Sequence, residues 1–131
     1  MVNLTSVIHD LITANHILHY HGIVDAYGHI SARHPENPDL FILSGNRAPA
    51  IVSQPSDFVT YYLANASAVD PDAPKGYIER YIHSEVYKRF SNVSAVIHAH
   101  AEDVLVYANS GVPLKPVFHM PSFLGRHDFL D

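Results

Sequence analysis

Ser94-Ala-Val-Ile-His-Ala-His100 is a run of small and β-branched residues that ends in two histidines spaced i, i+2. Ser94 to Ile97 reads as a buried strand. Residues two apart on a strand point to the same face. His98 and His100 would then project side by side at the strand's end. Two neutral imidazoles in that arrangement suit a divalent metal such as zinc. The plain alternative is a chance pair of strand-end histidines, because the chain carries 11 histidines in 131 residues.

Immediately upstream, Tyr77 to Phe90 reads as a helix, with Ile78, Ile82, Val86 and Tyr87 on one side. Glu79 and His83 are four apart and share a face. A helix folded back on the strand that follows it could bring its first turn, with Glu79, to the end bearing the histidines. A carboxylate beside a metal can be a ligand, a general base, or each in turn. An acidic residue in a first turn is also what the helix dipole favours by itself.

Further upstream, Asn3 or Thr5 can cap a first helix that runs to about His19 or Tyr20 and stops at Gly22. His9, His16 and His19 read as surface or boundary residues of that helix. Residues 28 to 43 read as a β-hairpin, with its turn at Pro35-Glu-Asn-Pro38. Ser44-Gly45 follows at the strand end. Such a turn can offer a hydroxyl and backbone N–H groups to an anion, or it can simply be a turn. A third strand is expected near 58 to 63, and a last helix from Glu102 to Asn109 with Gly111 at its end. Val117-Phe118 could begin another strand. Helix, hairpin, strand, helix, strand, helix is the order of an α/β layered domain with an antiparallel or mixed sheet.

Composition narrows the function classes. The apolar fraction is 47% and the charged fraction 16%, in the range of one globular domain over residues 1–131. Net charge is −5 with no basic cluster, which argues against nucleic acid and anionic membranes as partners. There is no cysteine, so any metal must use histidine, carboxylate or water. No signal peptide or transmembrane run is visible, so a cytoplasmic protein is expected. The chain has neither a G-x-G-x-x-G nor a Walker sequence.

Taken together, several motifs are similar to the class II aldolase and adducin family, the group that includes fuculose-phosphate aldolase. They are Gly28-His-Ile-Ser-x-Arg33, Phe41-Ile-Leu-Ser-Gly45, Glu79-Arg-Tyr-Ile-His83, Ala95-Val-Ile-His-Ala-His100 and Val112-Pro-Leu-Lys-Pro-Val-Phe-His-Met120. The resemblance implies a three-layer α/β/α sandwich around a mostly antiparallel sheet. It implies that His98, His100 and Glu79 hold a divalent metal, zinc first and manganese, cobalt or iron as alternatives. Glu79 would also be the catalytic acid/base. The metal would stabilise an enediolate as a C–C bond breaks or forms. His29, Ser44, Gly45 and His119 are the implied substrate contacts, for a small-molecule substrate. A homo-oligomer, expected to be a tetramer, is implied as well.

The departures are equally specific. The family's third metal histidine lies beyond the end of this chain, which reads as C-terminally truncated. His29 stands where the aldolases have asparagine. Tyr77-Ile78 replaces the serine pair that grips phosphate. Gly-His-Ile-Ser with Glu-Arg-x-Ile-His resembles a branch containing decarboxylases of hydroxylated aromatic or heteroaromatic acids. The expected activity is thus a metal-dependent aldolase or decarboxylase acting on a substrate other than a sugar phosphate. Its rivals are a non-catalytic adducin-like interaction domain and an inactive fragment.

Overall fold

The Asn3 side chain accepts a hydrogen bond from the Ser6 N–H and starts helix α1, Leu4–Tyr20. Gly22, at φ +65°, ends it, with the Gly22 and Ile23 N–H groups donating to the His19 and Leu18 carbonyls. The computed structural model describes residues 3–115. The described chain divides after Ala99 into two compact units.

In the first unit a four-stranded antiparallel sheet follows α1. Its strands are β1 (His29–Arg33), β2 (Leu40–Ser44), β3 (Phe58–Tyr62) and β4 (Ala95–His98), in the order β3-β2-β1-β4. Helix α2, Arg80–Arg89, precedes β4. The hairpin register sets Ser31 opposite Leu43 and Arg33 opposite Phe41. On the other side of β1, His29 faces His98 and Ser31 faces Val96.

Strand alternation sorts the core into two layers. Ile30 and Ile42 pack with Leu11, Leu18 and Val24, so α1 covers that face. Phe41, Leu43, Val59 and Tyr61 pack with Tyr87, so α2 covers the other. This is the expected α/β/α layering, and the described sheet is antiparallel throughout. The second unit holds helix α3, Glu102–Ser110, which ends at Gly111 with φ +70°. No helix among the described residues is long and apolar enough to cross a membrane. The expected strand at Val117-Phe118, and His119 with it, lies outside the described residues.

Two expectations need correction. The helix does not begin at Tyr77. Gly76 bridges to Gly45, and the Tyr77 side chain turns inward, its hydroxyl donating to the Arg47 carbonyl. That anchoring holds residues 76–79 out of the helix. Nor do Ile78, ahead of α2, and Ile82, within it, face the sheet: both are exposed, at 75% and 46%. The buried side of α2 is His83, Ser84 and Tyr87. A polar helix face is stable there because the facing β1 residues, His29 and Ser31, are polar too.

Arg33 ties β1 to the C-terminal end of α2. Its Nε donates to the Val93 carbonyl at 2.7 Å, and Nη2 donates to the Tyr87 and Phe90 carbonyls at 2.6 and 3.0 Å. The guanidinium also lies 4.7 Å from the centre of the Tyr87 ring. A planar cation with several donors serves carbonyls at and beyond the helix end together, and it opposes the negative end of the dipole. Lysine cannot reproduce this geometry. Arg33→Lys should cost about 1–3 kcal/mol, seen as a lower urea midpoint at unchanged slope. An unchanged midpoint would show that the clamp adds nothing.

Candidate functional site

The Asp25 carboxylate accepts from the N–H groups of Tyr27 and Gly28 and shapes the turn into β1. Gly28 has no room for a side chain, since a Cβ there would stand 2.6 Å from Val24 Cβ. This close turn delivers His29, fully buried, to the start of the strand.

Four side chains gather around His29. The His98 ring stacks on it at 4.9 Å with 20° between planes, as their positions opposite one another in the sheet dictate. Tyr77 lies at 4.4 Å and His83 at 4.8 Å, centre to centre. Glu79 Oε2 is 3.9 Å from His29 Nε2, and the Glu79 side chain is 37% exposed. Glu79 therefore stands at the boundary between the buried cluster and solvent.

Behind His29 runs a file of buried polar groups. His29 Nδ1 and His83 Nε2 are 2.8 Å apart. His83 Nδ1 and Ser31 Oγ are 2.7 Å apart, as are Ser31 Oγ and the Tyr87 hydroxyl. Burial, reinforced by the neighbouring imidazoles of His29 and His98, holds the His83 pKa down to about 3. Burial pushes Tyr87 up to about 12, against its hydrogen bond with Ser31 and the charge of Arg33. His83 is thus neutral, and Tyr87 keeps its proton.

The Ser44-Gly45 turn is closed to anions. Ser44 and Gly45 are buried. The N–H groups of Gly45, Asn46 and Arg47 already donate to the carbonyls of Asp57, Lys75 and Gly45. The Tyr77 ring packs over the turn, with its phenol beside the Ser44 hydroxyl. Outside it, a cleft of about 680 Å³ opens next to Glu79, lined among others by Tyr27, Tyr61, Tyr77, Tyr81, Lys75 and Arg80. Arg80 is held by the Ala66 and Tyr77 carbonyls. The cleft combines aromatic walls with two cations, within the usual size range of a small-molecule site.

The structure thus gathers His29, Glu79 and His98 of the expected residues, and sets Ser44 and Gly45 apart from solvent. His100 opens the second unit, past the end of β4 at His98, so the shared-face argument for the pair does not extend to it. Among the described residues no three His, Asp or Glu side chains stand close enough to hold a metal ion. Ser31 and Tyr87 belong to the cluster without having been expected there. The signal was available: His29 and Ser31 are two apart on a strand, and His83 and Tyr87 four apart on a helix, so each pair shares a face.

Residues 9–128 match the model of the class II aldolase and adducin N-terminal domain. Decarboxylase tropJ of Talaromyces stipitatus is 49% identical over 114 residues, which cover 87% of this chain and 43% of that protein. Among solved structures, an aldolase II superfamily protein from Pseudomonas syringae aligns with TM-score 0.74 at 25% identity, over 92% of this chain and 49% of that one. L-fuculose 1-phosphate aldolase from Glaciozyma antarctica aligns with TM-score 0.70 at 21% identity, over 82% and 45%. The chain spans less than half the length of the curated relative it matches.

The buried neutral His83 makes folding pH-dependent with a definite sign. Its folded pKa of about 3 lies below the unfolded value of 6.5. Between those values the unfolded chain binds a proton that the folded chain excludes. The contribution is complete above pH 6.5 and is lost as pH falls towards 3, at up to about 1.4 kcal/mol per pH unit. His83→Gln should flatten this part of the stability profile, measured by urea unfolding from pH 7 to 4. An equally steep profile in the variant would assign the slope to other groups.

Proposed function

Because the chain belongs to the class II aldolase and adducin family, we propose that it carries the reacting residues of a divalent-metal-dependent carbon–carbon lyase. The proposed reaction is decarboxylation of a hydroxylated aromatic or heteroaromatic acid. The observation that carries this reading is the Tyr77 side chain. It seals the Ser44-Gly45 turn, whose N–H groups are already spent, and lines the neighbouring cleft with an aromatic surface. A phosphate would find no free backbone N–H at Gly45, Asn46 or Arg47, and the Ser44 hydroxyl is buried. A flat ring bearing a carboxylate would find tyrosines and the cations of Lys75 and Arg80 in the cleft. The decarboxylase relative supports the same choice.

The donor set suits a metal. The imidazoles of His98 and His100 and the carboxylate of Glu79 are nitrogen and oxygen ligands, acceptable to zinc, manganese, cobalt or iron. When bound, such an ion would polarise the substrate oxygen next to the breaking bond. The chain's own residues supply the rest. The cleft orients the ring, and Lys75 and Arg80 attract the acid group. As the carboxylate leaves as carbon dioxide, the bonding pair stays on the ring carbon. Glu79, half-exposed at the edge of the cluster, is placed to pass a proton from solvent to that carbon. The homo-oligomer implied by the resemblance is part of the same proposal.

Zinc titration against a chromophoric chelator should show weak binding by this chain, reduced at least about tenfold by His98→Ala or His100→Ala. The whole protein supplied with zinc should release carbon dioxide from a hydroxylated aromatic acid and leave a ketose 1-phosphate intact. Cleavage of the phosphate ester substrate, with no decarboxylation, would overturn the reading.

A further inference from the structure

The polar file behind His29 has a direction that follows from donor counting. A neutral imidazole carries one N–H, and a hydroxyl carries one O–H. His83, with one N–H, donates at one nitrogen and accepts at the other, so the His29–His83 and His83–Ser31 contacts point the same way, and Ser31 can donate to His83 only when Tyr87 donates to Ser31. If His29 donated, His83 Nδ1–H would serve Ser31, and the lone pair of His29 Nε2 would face the Glu79 carboxylate 3.9 Å away. If Tyr87 donates, it serves Ser31, Ser31 serves His83 Nδ1, and His83 Nε2–H serves His29 Nδ1. His29 then carries its proton on Nε2, towards Glu79. An N–H facing a carboxylate is attractive, whereas a lone pair facing one is repulsive, and with His29 fully buried and Glu79 only part-exposed solvent screens the difference incompletely.

We propose that Tyr87, Ser31 and His83 form a one-way hydrogen-bond chain that locks His29 in the Nε2–H tautomer. His29 is thereby a hydrogen-bond donor at the edge of the site and not a metal ligand. Ser31, His83 and Tyr87 are positioning residues, acting on the site only through His29. The neutrality of His83 agrees with this, since an imidazolium would break the single direction of the file. The inference rests on the lyase reading only for what His29 addresses. The donor would steady the Glu79 carboxylate or an oxygen of the substrate's acid group.

The tautomer can be read without substrate. In the ¹⁵N-labelled chain at pH 7.5, long-range ¹H–¹⁵N correlation of the imidazoles should show the proton on Nε2 in both His29 and His83. Added Zn²⁺ should leave the His29 Nε2–H in place. Ser31→Ala should turn both rings into tautomeric mixtures, and Ser31→Thr should restore the single form. A wild-type His29 protonated on Nδ1, or one whose Nε2 takes up zinc, would overturn the proposal. So would an Ala variant that keeps both rings purely Nε2–H. Should the Ser31 variants fail to fold, the wild-type spectra with and without zinc decide. Failure of the lyase reading alone would leave these spectra unchanged.

Discussion

A buried polar side chain is tolerated only when its donors and acceptors are matched, and that constraint governs the face of the sheet under α2. The His29–His83 hydrogen bond is its centre. Both rings are fully buried, and each links an element that would otherwise have to meet its neighbour through apolar side chains. Because the two rings satisfy one another, β1 can present histidine and serine inward, and α2 can answer with histidine and tyrosine. Removing one partner would strand the other in the interior, at a cost larger than the bond itself contributes.

That polar seam also decides where the reactive groups stand. Tyr77, His98 and Glu79 are arranged around His29, not around one another. The cluster grades from a dry interior at Tyr87 to a half-exposed carboxylate at Glu79. The proposed lyase reading calls for this gradation, with rigid dipoles behind the reacting group and access in front of it. Arg33 holds the carbonyls of Tyr87, Phe90 and Val93, at and beyond the end of α2, and supports the cluster from behind.

Much of this was legible in the chain itself. The Asn3 cap, the Gly22 stop, the Pro35–Pro38 turn and the β-branched run before His98 are local signals, and α1, the hairpin and β4 lie where those signals put them, although β4, expected to be buried, leaves Ala95 and Ile97 exposed. What local signals could not show was which side of α2 would face inward. Ile78 and Ile82 look like core residues by hydropathy, yet the register of β1 against β4 brings His29 and Ser31 under the helix and selects its polar side. The start of α2 was obscured in the same way, because the Gly45–Gly76 bridge and the Arg47 carbonyl, both distant in sequence, hold Tyr77. The closure of the Ser44-Gly45 turn depended on carbonyls from Asp57 and Lys75, which no reading of adjacent residues supplies.

The spacing along the chain of the bonded pairs in the file has a kinetic side. His83 meets Ser31 across 52 residues, His29 across 54, and Tyr87 meets Ser31 across 56. Each contact requires a long loop to close before anything is gained, and β4 completes its pairing with β1 later still in sequence. During synthesis α1 and the hairpin can form while α2 is still being made. The cluster cannot exist until α2 has emerged and packed, so the chain acquires a sheet before it acquires a site.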